Sequence, residues 1–287
     1  IAGALRADRC RTVLEVGCGT GVLTQFLLER DDIDLVYIVT PWQKHVPMAV
    51  YAMTAYGICF PAGSVSATLV PLLLILGSTQ MIAAFKRSYQ FEHVFKSAFC
   101  IGLLPMLYAP ALPLVLIVPV TLVLYRRTLR EAVVAAAGLL LPFFICSVVW
   151  WGLGDSFGLM GHELLAGTTL GEDTALPALF GEKGVWSKVY IGLFAALTLC
   201  SAIIILRTLP SLRTRAKKIH IHFLWLLLLC LISLLLPGST IASLGVLAVP
   251  CCVTVSAFFI RYRGWLPLAI YTVLTALMLY INLFPGV

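Results

Sequence analysis

The sequence predicts an all-α polytopic membrane protein of about seven to nine transmembrane helices, preceded by a short α/β segment. Three observations carry this. Hydrophobic residues make up 61% of the 287-residue chain and charged residues 11%, against about 25% charged in a water-soluble domain. No Asp or Glu occurs from Val189 to Val287. Several uncharged runs reach the ~20 residues that a helix needs to cross a hydrocarbon core of roughly 30 Å.

Those runs cover residues 45–85, 97–125, 132–154, 189–206, 219–260 and 264–287. The first and fifth are too long for one span, and each holds a turn signal, Pro61-Ala62-Gly63-Ser64 and Pro237-Gly238-Ser239. Pro and Gly end helices and supply turn dihedrals, so each run reads as a helical hairpin. Residues 97–125 are few for two full spans, and Pro105 with Tyr108-Ala109-Pro110 suggests two short helices or a re-entrant hairpin. Broken backbone at that depth is tolerated only where protein or a wet cavity shields it.

Basic residues cluster between the runs: Lys86, Arg87 and Lys96; Arg126, Arg127 and Arg130; Arg207, Arg213, Arg215, Lys217 and Lys218; Arg261 and Arg263. Lys and Arg mark cytoplasmic loops, so the net charge of +7 reads as orientation and attraction to anionic headgroups rather than nucleic-acid binding. Residues 155–188 carry Asp155, Glu163, Glu172, Asp173 and Glu182 against Lys183 and Lys188, and are expected outside the cytoplasm. Residues 1–44 mix both signs and form a soluble, cytoplasmic segment ahead of a membrane domain at 45–287. The chain starts at Ile1 and ends at Pro285-Gly286-Val287, which reads as a fragment.

Seven of the nine cysteines, Cys59, Cys100, Cys146, Cys200, Cys230, Cys251 and Cys252, lie in apolar stretches without C-x-x-C spacing. They read as small packing residues, with Cys251 and Cys252 unbridged and no metal site.

Residues 12–21, Thr-Val-Leu-Glu-Val-Gly-Cys-Gly-Thr-Gly, read as a buried strand turning through Gly17, Gly19 and Gly21 into a helix from Val22 to Glu29. Small residues there let backbone N–H groups approach a ligand at a helix N-terminus. With Glu15 near the strand's end, the segment resembles motif I of S-adenosylmethionine-dependent methyltransferases. Residues 5–35 are most similar to the ribosomal RNA adenine dimethyltransferase family, whose fold is Rossmann-like. The resemblance implies a cofactor site at Glu15, Gly17, Cys18, Gly19, Thr20 and Gly21, and RNA as a partner. It stops at the second strand, Leu35 to Val39, where Thr40-Pro41-Trp42 stands in place of the family's acidic residue. The family's catalytic asparagine motif is absent, since Asn282 is the chain's sole asparagine. The segment therefore reads as a truncated or joined coding sequence, ahead of a fusion without methyl transfer or one retaining the cofactor.

From Leu72 to Glu163, the succession Gln80-Met81, Phe85-Lys86-Arg87, Ala98-Phe99-Cys100-Ile101-Gly102-Leu103, Tyr108-Ala109-Pro110-Ala111, Arg130-Glu131 and Gly138-Leu139-Leu140-Leu141-Pro142-Phe143 resembles a family of bacterial polytopic inner-membrane proteins whose domain has no assigned function. The resemblance implies an inner-membrane address and supplies no catalytic residues.

Candidate chemistry is sparse. A proton-coupled transporter places carboxylates or histidines within its spans, and none of the expected spans has a central Asp or Glu. His220-Ile221-His222 follows Lys217 and Lys218 and reads as interfacial. Asp155, His162 and Glu163 follow Trp150-Trp151, so a carboxylate and imidazole group is available for acid-base work on a lipid-linked substrate. The tryptophans equally fit an interfacial aromatic belt, and a solvated acidic loop is the plainer reading. The leading expectation is an integral inner-membrane, envelope-associated protein that is not an enzyme, with the bilayer and other envelope proteins as partners. A methyltransferase remnant or an envelope enzyme are the alternatives.

Overall fold

The computed structural model describes residues 12–16, 35–39, 65–84, 91–166, 185–212, 214–236, 238–239, 242–261 and 265–283. Two short strands, β1 (Thr12–Val16) and β2 (Leu35–Val39), pair in parallel, with Thr12 opposite Leu35 and Val16 opposite Val39. All other regular structure among the described residues is helical. The expected turn at Pro61-Ala62-Gly63-Ser64, and the helix before it, lie outside the described residues.

Helix α1 spans Val65–Ala84 and α2 spans Phe91–Leu107. The sequence places Lys96 in a loop, but α2 takes it in together with Glu92 and His93. Glu92 sits in the first turn, where the helix dipole favours an anion, and Lys96 Nζ lies 2.5 Å from its carboxylate, one turn on. After α2 the chain breaks at Tyr108, whose backbone is extended, and continues as a 3-10 segment, Ala109–Leu116, joined to α3, Ile117–Leu124. Proline sets this form: Pro110 and Pro113 lack the N–H that an α-helical ladder needs. The break expected within 97–125 is present, and its two arms are α2 and the 3-10 segment with α3.

Helix α4 runs Leu129–Gly152 and is followed by a short α5, Leu159–Ala166. Then come α6 (Val185–Thr208), α7 (Thr214–Leu234), α8 (Ala242–Arg261) and α9 (Trp265–Leu283). The turn between α7 and α8 includes Gly238 at φ 72°, in the left-handed region that Gly enters without a Cβ clash. This is the expected Pro237-Gly238-Ser239 divide.

Specific contacts fix the direction of the rods. Ser97 Oγ of α2 donates to Gly77 O of α1 at 2.7 Å, and His93 Nδ1 lies 2.7 Å from Gln80 Oε1, so α1 and α2 are antiparallel. Ser233 near the end of α7 donates to Pro110 O at the start of the 3-10 segment. Because α7 also packs on α3, it runs antiparallel to that rod. Trp186 of α6 meets Tyr280 of α9 edge to face at 5.7 Å, so the start of α6 lies beside the end of α9. The end of α1, the start of α2, the α3–α4 turn with Arg126, Arg127 and Arg130, the end of α6, the start of α7, the end of α8 and the start of α9 therefore fall at one end. The α4–α5 turn with Asp155 falls at the other, about 36 Å away along α4 at 1.5 Å per residue.

Two apolar cores hold the rods. Leu74, Ile101, Leu104, Leu114, Ile117 and Leu226 belong to one, among α1, α2, the 3-10 segment, α3 and α7. Tyr190, Phe194, Cys252, Val255, Phe259 and Leu274 form part of the other, among α6, α8 and α9. The outward face is apolar too. Along α4, Leu140, Phe144 and Trp151 are 66%, 56% and 65% exposed, while Glu131, Ala135, Gly138, Pro142 and Ser147 face inward. That pattern is the reverse of a water-soluble amphipathic helix and suits a hydrocarbon surround. Leu129–Gly152, Val185–Ser211 and Ala216–Leu234 are long and apolar enough to cross a bilayer; Leu69–Ala84, Ala109–Leu124, Ser243–Phe259 and Trp265–Ile281 are shorter apolar helices.

Candidate functional site

The acidic group sits past the end of α4. The turn that carries it is shaped by Gly154 at φ 103° and by the Asp155 N–H donating to Trp150 O at 3.1 Å. His162 and Glu163 follow on α5, which packs on α4, and Phe144 of α4 meets Phe157, in the turn before α5, edge on at 6.2 Å. Asp155, His162 and Glu163 are all exposed, and among the described residues no hydrogen bond or ion pair joins any two of them. Neighbours on a helix point about 100° apart, so His162 and Glu163 diverge. Proton transfer in concert requires groups within hydrogen-bond reach of one reacting atom, and no polar contact among the described residues joins these three. Glu172, Asp173 and Glu182 lie outside the described residues.

The polar constellation with real geometry lies at the opposite end, where sequence reading expects free loop charges. Thr128 precedes α4, and its backbone N–H and hydroxyl both donate to Glu131 Oε2, at 3.1 and 3.3 Å. Arg127 Nη1 donates to Glu131 Oε1 at 3.0 Å. Its other terminal nitrogen donates to the carbonyl of Ala84, one of the acceptors a helix leaves unpaired at its C-terminus. Glu131 is 2% exposed and Arg127 12%. Arg127 is thus a structural clamp between α1 and α4 rather than a loop charge. The signal was in the sequence: Thr128-x-x-Glu131 has the spacing of a capping box. Arg126 turns the chain at φ 53° and is exposed, as is Arg130. Next to this clamp, burial pushes the Tyr125 phenol up to about 12, with Arg127 opposing. On α2, the hydrogen bond and then the charge of Lys96 hold the Glu92 carboxyl below its usual range.

Of the histidine pair on α7, His220 is half-buried. His222 is fully buried, and neither ring nitrogen has a hydrogen-bond partner; its ring meets Phe223 edge on at 5.4 Å. The reason is helical register. His222, Leu226, Leu229 and Ser233 recur at the spacing of one helix face, and all four are buried.

Cys230, Cys251 and Cys252 are buried and free, Cys100 and Cys146 are half-buried, and Cys200 is exposed. Cys59 lies outside the described residues. No group of three His, Cys, Asp or Glu side chains with metal-binding geometry occurs among the described residues. Of the glycine-loop candidates, Glu15 belongs to β1, while Gly17, Cys18, Gly19, Thr20 and Gly21 lie outside the described residues.

Comparison with known proteins adds one short likeness. No family model matches the chain, and no solved structure matches it. A stretch of 27 residues is 70% identical to a glycosyl hydrolase family 109 protein of Porphyromonas gingivalis (strain ATCC BAA-308 / W83). The match spans 9% of this chain and 6% of that protein's length, too little to carry a fold or a site.

Proposed function

We propose that the chain is an integral, multi-pass protein of a bacterial inner membrane, with its N-terminus cytoplasmic, about seven to nine spans, and an assembly or envelope role rather than a catalytic one. The observation that carries this reading is the outward apolar face of helices long enough to cross the bilayer, above all α4. The polar contacts at the basic end support a structural role for its best-ordered charges, and the dispersed Asp155, His162 and Glu163 give an envelope enzyme no supporting contact. Membrane fractionation tests the reading. The protein is expected to stay in the pellet through alkaline carbonate and high salt, and release by either treatment would sink the proposal.

A second reading rests on β1 and β2. Their parallel pairing is the arrangement that a strand, glycine loop, helix and returning strand require, and Glu15 lies in β1 next to its last residue. On this reading Gly17 to Gly21 bind S-adenosylmethionine, with RNA as the partner. Labelled cofactor is then expected to bind saturably to the full chain and to be lost in Gly19→Arg. Absence of binding at millimolar ligand would remove it.

A further inference from the structure

Two prolines strip hydrogen bonds from the backbone on either side of α7, and α7 replaces both from its own side chains. In 3-10 geometry the carbonyl of residue 110 pairs with the N–H of residue 113, and Pro113 has none. Ser233 Oγ of α7 donates to that carbonyl, Pro110 O, at 2.5 Å. In α-helical geometry the carbonyl of residue 246 pairs with the N–H of residue 250, which is Pro250 inside α8. Cys230 Sγ of α7 reaches Val246 O at 3.9 Å, a sulfur hydrogen bond. Ser233 and Cys230 are three residues apart, so neighbouring positions of one helix serve two different partners. Both side chains are buried, where an unpaired carbonyl has no water to turn to.

From this we infer that α7 is a latch. The segment Ala109–Leu116, set at an angle to α2 by the extended Tyr108, keeps its other backbone bonds, and the Ser233 hydroxyl supplies the donor that Pro113 withholds from Pro110 O. Withdrawal of the Ser233 end of α7 loosens the segment at Pro110, while the Tyr108 N–H to Leu104 O and Ala111 N–H to Tyr108 O bonds hold its start on α2, and the segment tightens when that hydroxyl returns. The Cys230 contact ties the same stretch of α7 to α8, so the α7–α8 hairpin moves as one piece against the proline-rich rod. The inference rests on the contacts alone and stands whichever reading of function holds.

The test is a rescue cycle on the full chain in detergent micelles, read by amide hydrogen exchange of the 109–116 segment. Ser233→Ala is expected to speed exchange there roughly tenfold, the loss of one buried hydrogen bond, while Ser233→Thr, which keeps the hydroxyl, stays within about twofold of the original. Pro113→Ala restores a backbone N–H to Pro110 O. In that background Ser233→Ala is expected to change exchange by less than about twofold. An equal increase in both backgrounds, or none from Ser233→Ala in the original chain, would overturn the latch. Should Ser233→Ala fail to fold, recovery of the fold in the Pro113→Ala double variant supports the latch, and failure of the double variant as well overturns it.

Discussion

The two ends of the helical array handle charge in opposite ways. At the basic end Arg127, Thr128 and Glu131 interlock and reach across to Ala84, so two of the least exposed charged side chains secure one helix start and one helix end. At the acidic end Asp155, His162 and Glu163 stand exposed, without polar contact to one another. Residue type alone suggested a solvated acidic loop at one end and topology markers at the other. What decides is partner geometry. A buried carboxylate with three donors is already satisfied, whereas the exposed groups share no polar contact.

The sharpest way to break this contrast is Glu131→Ala. Removing one partner of a buried pair leaves Arg127 uncompensated and uncaps α4, for a loss of about 3–5 kcal/mol in reversible unfolding in micelles. A change under about 1 kcal/mol, the range of exposed pairs, would put Arg127 and Glu131 back among surface charges. Next comes the crossing of α2 with α4. A Cβ on Gly102 would lie 2.7 Å from Leu139 O, a backbone atom that cannot swing aside, so Gly102→Ala is expected to lower stability by about 1–3 kcal/mol. At Gly192 of α6 a Cβ meets nothing within 4 Å, and Gly192→Ala should stabilise by about 0.5–1 kcal/mol. Equal effects at the two glycines would contradict the packing. Smaller still is the response of the exposed Glu92. Its lowered pKa stabilises the fold above the ordinary carboxylate value of 4.5 and is lost as pH falls through the lowered one; Lys96→Gln should move its NMR titration midpoint up towards 4.5. The smallest effect belongs to the acidic end, where alanine at Asp155, His162 and Glu163 together should leave the unfolding midpoint unchanged.

Much of the helical plan was legible before any coordinates. Charge-free runs gave the rods, Pro237-Gly238 gave the α7–α8 turn, and Tyr108-Ala109-Pro110 gave the break in the third rod, because Pro and Gly act locally whatever surrounds them. The start of α2 was misjudged by treating Lys96 as a loop marker, although Glu92 one turn earlier offered a helical partner. The capping box was readable at Thr128 and Glu131 but was hidden by the arginines beside it. The burial of His222 was not readable, since which face of α7 meets the rod depends on packing between segments far apart in sequence. The same holds for Gly102, whose neighbour Leu139 belongs to another helix, and for Ser233, whose acceptor lies 123 residues away.

Labelling from each side of the membrane tests the central claim most directly. In a cysteine-free background, Arg126→Cys reports the basic end and Gly158→Cys the acidic end, both at exposed positions, with an impermeant maleimide applied to intact spheroplasts and to inverted vesicles. The expected result is labelling of position 158 in spheroplasts only and of position 126 in inverted vesicles only. Labelling of both positions from the same side would contradict a membrane-spanning array with its charges sorted to opposite ends.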